Sequence, residues 1–160
     1  MKIAISADHR GIDALDHIVL LLQHHGCQVV DMAQRSCKMS DYPDQAYTVA
    51  RSVADGKADL GVLICGSGIG MCIAANKVTG VRAALVHDEI YAEVARRHND
   101  ANVLCLPADL LGIRIMERIV STWLRAEFEG GRHARRVKKI AAIEAGQDPT
   151  IIEAEQAAAK

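Results

Sequence analysis

Residues 60–77, LGVLICGSGIGMCIAANK, constrain the fold more than any other stretch of the chain. The first five are an unbroken apolar run, the pattern of a strand buried on both faces of a parallel sheet. Gly66, Gly68 and Gly70 follow at alternate positions. Without a Cβ the backbone there turns tightly and a ligand approaches its N–H groups. Residues 71–76 then read as the first turns of a helix. A strand, a glycine loop and a helix N-terminus in succession form an anion-binding cradle, because unpaired amides and the positive helix end face one spot. Cys65 stands at the lip of that cradle. A field that favours an anion also favours a thiolate, so the thiol is expected to fall from about 8.5 to about 7, roughly 2 kcal/mol of differential stabilisation.

The rest of the chain alternates strand and helix. Further strands are expected at residues 2–7, 28–32, 81–86 and 103–106, and helices from Ile12 to the stop at Gly26, at 44–55, 89–97 and 111–126, and from about Arg132. This order implies right-handed crossovers and a parallel sheet covered on both faces, an α/β fold. With 160 residues, 50% of them hydrophobic, and a net charge of −1, the chain suits one compact domain. It carries no charge imbalance pointing to nucleic acid or membrane. No apolar run is long enough to span a bilayer and the chain opens directly on a strand, so a cytoplasmic protein without a signal peptide is expected. Five cysteines, Cys27, Cys37, Cys65, Cys72 and Cys105, without a Cys-x-x-Cys pair, fit reduced thiols. No internal repeat is visible. Asp148-Pro149 introduces a polar, alanine-rich tail, expected to be partly helical.

In such sheets ligands bind beyond the carboxyl ends of the strands. Asp8-His9 follows strand one, Cys65 to Gly70 follows strand three and His87-Asp88 follows strand four. If strands one and three are neighbours, Asp8, His9 and Cys65 line one crevice. Each residue also has a plainer reading. Cys65 and Cys72 can be core packing, Asp8-His9 a turn and helix cap, and His98 a complement to the carbonyls at its helix end. His17, His24 and His25 face solvent on this reading, and His133 has no assigned part. Arg132 and Arg136, four apart, share one helix face with Arg135 a turn from Arg132. They form a phosphate clamp, each charge-assisted hydrogen bond contributing roughly 1.5–3 kcal/mol, or else a solvated basic helix. Gly66-x-Gly68 with Asp88 beyond it partly imitates a dinucleotide fingerprint. The third glycine is misplaced, the motif is not on the first strand, and no second domain remains for a substrate.

As a set, Asp8-His9-x-Gly11, Asp41-Tyr42-Pro43, the Cys65 to Gly70 loop, Ala74-Ala75-Asn76-Lys77, His98-Asn99-Asp100-x-Asn102 and Gly130-Gly131-Arg132-His133-x-x-Arg136 resemble one family in order and spacing. That family is the type B ribose-5-phosphate isomerases with the related galactose-6-phosphate isomerase subunits, and the match covers about residues 1–145. The resemblance implies a three-layer α/β/α Rossmann-like sandwich with a five-stranded parallel sheet in the order 2-1-3-5-4. It implies an aldose–ketose sugar-phosphate isomerase, an intramolecular oxidoreductase working through an enediolate with no metal and no cofactor. Ribose 5-phosphate to ribulose 5-phosphate is the first expectation.

By the same resemblance, Cys65 is the base that moves a proton between C2 and C1. Ser67 and the backbone of Gly66, Gly68, Ile69 and Gly70 stabilise the developing oxyanion. His98 opens the sugar ring as a general acid–base. Asp8, His9, Tyr42 and Asn99 bind the sugar, and Arg132 and Arg136 take the phosphate with His9 nearby. The implied partners are a phosphorylated sugar and a second copy of the chain. The copies would form a homodimer, or a tetramer built on it, whose sites are shared, so that His98 and the arginine helix come from the partner of the chain giving Cys65. One position departs from the family pattern. Where the family usually carries Gly-x-Arg, with an arginine that reaches the phosphate, this chain has Pro107-Ala108-Asp109. That acid brings erythrulose 4-phosphate, allose 6-phosphate and galactose 6-phosphate into range. Two readings from other classes stand beside it, a non-catalytic nucleotide- or phosphate-binding module and a cysteine hydrolase using His98 as base.

Overall fold

The computed structural model describes residues 1–35 and 40–152. Five strands, β1 (Lys2–Ala7), β2 (Gln28–Asp31), β3 (Leu60–Cys65), β4 (Ala83–Leu85) and β5 (Val103–Pro107), form one parallel sheet in the order β2-β1-β3-β5-β4. The helices are α1 (Ile12–His24), α2 (Tyr42–Ala54), α3 (Ile69–Ala75), α4 (Glu89–Asn99), α5 (Ile113–Arg125) and α6 (Arg132–Glu144). The strand order and the alternation agree with the expectation. Cys37 and the tail beyond residue 152 lie outside the described residues, and Pro149–Ile151 forms a single 3-10 turn capped by the Asp148 carboxylate.

Alternation along the strands sorts the core into two layers. Ile3, Ile5, Val62, Ile64, Leu104 and Leu106 meet α1, α4 and α5 through Leu15, Ile18, Ile119 and the wholly buried Trp123. Ala4, Leu63, Cys65, Val103 and Cys105 meet α2 and α3 through Val49, Met71 and Ala75. Because β3 is central, all six of its residues are buried, which is why its sequence is apolar throughout rather than alternating.

Two of the boundaries that differ from the sequence expectation have a direct physical cause. α2 starts at Tyr42, so Pro43 falls in the first turn, where a missing N–H leaves no helical bond unmade. β4 is only three residues long because the backbone before it is diverted. The Val81 N–H bonds Val78 O, and the Arg82 N–H bonds Asn102 Oδ1 at 2.7 Å.

Parallel strands joined by returning helices give the sheet two unlike ends. Loops leave the carboxyl ends of β1, β3 and β5 together: Asp8 N–H donates to Ile64 O, Ala108 N–H to Cys65 O at 2.8 Å, and Asp109 N–H to Gly66 O at 3.0 Å. The end of α4 and the start of α6 lie at the opposite end, where α6 packs against α4 beside the edge strand β4. No helix among the described residues is long and apolar enough to cross a membrane.

Candidate active site

At the carboxyl end of the sheet a cleft of about 530 Å³ is lined by Asp8, Arg10, Tyr42, Ser67, Gly70 and Asp109, with Cys65 and Gly66 at its base. β3 ends at Cys65, and the next three residues turn the chain into α3. Gly68 makes that turn possible: its φ of 71° lies in the left-handed region that side chains disfavour. In this conformation the Gly68 N–H points back and donates to Cys65 Sγ at 3.2 Å, while the Ile69 N–H donates to Ser67 Oγ at 3.3 Å. The loop is therefore not an empty cradle of free amides. One of its donors is aimed at the sulfur itself.

The electrostatics correct one expectation. Cys65 is 4% exposed, and burial pushes its thiol up rather than down. The amides of Met71, Gly68 and Ser67 pull the other way, and the nearby Asp8 carboxylate adds to the rise. Desolvation wins over the loop's dipoles because a thiolate here would be shielded from water by the α2–α3 layer. Cys72 behaves oppositely. It bonds Ala83 O at 3.4 Å, and the neighbouring Cys105 thiol brings it down to about 7. Cys105 is wholly buried and stays protonated.

Asp8 is buried and its Oδ1 accepts the Arg10 N–H at 2.9 Å, closing a turn rather than capping α1. His9 is exposed at the same end of the sheet, outside the cleft lining. Tyr42, the first residue of α2, reaches into the cleft. Asp8, Tyr42, Cys65, Gly66, Ser67, Ile69 and Gly70 are thus brought together, with Gly68 bonded to the sulfur beneath them.

The remaining candidates gather at the other end of the sheet. His98, near the end of α4, stacks on His133 in the first turn of α6, ring centroids 4.1 Å apart and planes within 8°. Glu129 Oε2 stands 3.7 Å from His98 Nε2 and 3.6 Å from His133 Nε2, and Glu129 Oε1 accepts from Arg97 Nε at 2.7 Å. The Arg132 Nε–H donates to His133 Nε2 at 3.2 Å, which leaves the His133 proton on Nδ1. Burial, with His98 and Arg132 alongside, holds His133 below the usual histidine range. Arg136 is exposed one turn along α6. Asn99 lines a separate cavity of about 410 Å³ between α4, α6 and β4. None of His98, Asn99, Arg132 or Arg136 lines the Cys65 cleft.

Three unassigned residues emerge. Glu129 and His133 escaped because nothing in their spacing relates them to His98, and Arg10 because it sits inside a turn. His98, Glu129 and His133 offer three ligand atoms within 4.8 Å of one another. They fit a metal poorly. Nearly parallel rings aim their two Nε2 lone pairs along parallel planes rather than at one point, and Arg97 and Arg132 already supply positive charge.

Residues 3–140 match the family model described as Ribose/Galactose Isomerase. The chain belongs to that isomerase family. It is 44% identical over 143 residues to ribose-5-phosphate isomerase B of Escherichia coli, covering 89% of this chain and 96% of the relative. It is 46% identical over 141 residues to D-erythrulose-4-phosphate isomerase of Pectobacterium atrosepticum, covering 88% and 93%. Among solved structures, ribose-5-phosphate isomerase B of Clostridium thermocellum superposes with a TM-score of 0.89 at 45% identity, over 91% of this chain and 99% of that one. The Mycoplasma genitalium enzyme, solved with bound ribulose-5-phosphate, gives 0.86 at 44% identity, over 90% and 96%.

Proposed function

We propose that the protein interconverts an aldose phosphate and its ketose, with ribose 5-phosphate and ribulose 5-phosphate as the first substrate pair. The observation that carries the reading is the Cys65 sulfur at the base of the cleft, receiving the Gly68 N–H, in a chain of the isomerase family. In this reading the Cys65 thiolate takes the proton from C2 of the open-chain aldose. The C2–H electron pair becomes the C1–C2 double bond of an enediolate and the carbonyl pair moves onto oxygen. The O2 hydroxyl proton passes to O1, and the Cys65 S–H returns its proton to C1 as the double-bond pair moves onto that carbon, leaving the ketone at C2 and a hydroxyl at C1. Burial serves this step: a thiol whose pKa is raised gives a stronger base once ionised. Ser67 and the Gly66 to Gly70 backbone stabilise the oxyanion, and Asp8, His9 and Tyr42 hold the sugar.

His98 opens the ring, Asn99 binds the sugar, and Arg132 and Arg136 take the phosphate, all from a second copy of the chain. A six-residue strand spans about 20 Å, far too much for His98 and Cys65 of one chain to touch one sugar from opposite ends of the sheet. The working unit is accordingly a homodimer, or a tetramer made of such dimers, and the catalytic domain covers residues 1–145 with the tail outside it. Unpaired Cys27, Cys65, Cys72 and Cys105 suit a reducing, cytoplasmic setting. Erythrulose 4-phosphate is the second reading, supported by the Pectobacterium relative and by Asp109 in the cleft.

Purified protein assayed against tetrose, pentose and hexose phosphates tests the proposal. Turnover of at least one is expected, lost by more than about 10³-fold in Cys65→Ala with circular dichroism unchanged. No turnover of any of them, or full activity in the variant, would overturn it.

A further inference from the structure

Arg10 and Asp109 have no part in the chemistry above, yet both line the Cys65 cleft. Arg10 Nη2 meets Asp109 Oδ2 at 2.5 Å, with the two side chains 57% and 38% exposed. The pair lies directly over Gly66, where an added Cβ would stand 2.5 Å from Asp109 Oδ2 and 2.7 Å from Arg10 Nε. Backbone bonds fix both residues. The Asp109 N–H donates to Gly66 O at 3.0 Å, and the Arg10 N–H to Asp8 Oδ1 at 2.9 Å. The pair therefore bridges the loops after β1 and β5, above the residue that follows the sulfur.

Its charge decides what it can bind. The cleft is lined by one cation, Arg10, and two carboxylates, Asp8 and Asp109. With Arg10 neutralised by Asp109, the surplus charge is negative, and this end of the cleft repels a phosphate dianion. A guanidinium–carboxylate pair still holds unused donors and acceptors, and a sugar hydroxyl can donate to one partner while accepting from the other. We propose that the Arg10–Asp109 pair is a specificity-determining element, reading the hydroxyls of the sugar's carbon chain and keeping phosphate away from Cys65. The substrate then lies with its polyol against the Gly66 loop and its phosphate pointing out of the cleft. The distance from the pair to the phosphate site selects chain length.

This inference rests on the isomerase reading, and two measurements separate their failures. Calorimetry with inorganic phosphate tests the charge argument without turnover. Asp109→Asn frees the Arg10 guanidinium and should tighten phosphate at least tenfold, and Arg10→Ala combined with Asp109→Asn should return to within twofold of wild type. No tightening, or tightening that survives in the double variant, overturns the proposal, whatever the wild-type enzyme turns over. With tetrose, pentose and hexose phosphates, the wild-type preference in kcat/KM should shrink at least tenfold in Asp109→Asn, through KM, with kcat within threefold. Unchanged preference overturns the specificity role, whereas a wild-type protein inactive on every sugar phosphate overturns the isomerase reading itself.

Discussion

Cys65 illustrates what a residue's neighbours in sequence can and cannot say about it. The glycines after it announce a tight turn, and Gly68 does adopt the left-handed conformation that lets its amide reach the sulfur. The sign of the thiol's shift was not legible, because it depends on the α2–α3 layer that closes over β3 and on Asp8, fifty-seven positions earlier in the chain. A raised thiol pKa has a kinetic signature. With the Cys65 thiolate as the proposed base, kcat/KM should climb about tenfold per pH unit through neutrality and level off only above the ordinary thiol value of about 8.5. A profile already flat from pH 6.5 would mean that the loop's amides outweigh burial. Asp109 shows the same limit from another side: its identity was visible in the sequence, but its partner Arg10 was not.

Among elements, the short edge strand β4 depends on side chains where a neighbouring strand is missing. Asn76, just beyond α3, donates from Nδ2 to Ala83 O and accepts the Ala83 N–H at Oδ1, both at 2.9 Å, so one amide stands in for a strand. Asn102 does similar work at the strand's entrance, donating to Gly80 O and accepting the Arg82 N–H. Asn76→Ala should lower stability by about 1–2 kcal/mol, a few degrees in Tm for a chain this size, and should speed hydrogen exchange at the Ala83 amide. An unchanged exchange rate there would contradict this role. The long apolar or amphipathic elements were legible because their periodicity is their burial pattern, as in β3 and α1. The extent of β4 was not, since 81–86 is apolar enough to form a longer strand while hydrogen bonds to Asn76 and Asn102 decide where it begins. The Ala74 to Lys77 motif, noticed only through resemblance, gains a physical reason in Asn76.

At the scale of the whole molecule, one parallel sheet has two chemically different ends. The thiol, its glycine loop and the Arg10–Asp109 pair occupy the carboxyl end; the stacked His98 and His133, Glu129 and the arginines of α6 occupy the amino end. Cys65, His98 and the arginines of α6 stood out along the sequence and Arg10 and Glu129 did not, and the division between ends follows from β4 and α4 running in opposite directions, which only the fold makes plain. Our central claim is that two copies bring unlike ends together. Cys65→Ala and His98→Asn should each be inactive alone. Coexpressed in equal amounts, they should recover about a quarter of wild-type activity, because half the dimers are mixed and each mixed dimer carries one intact shared site. Recovery near that level is the result the account predicts; activity in the mixture no greater than that of the separate variants would contradict it.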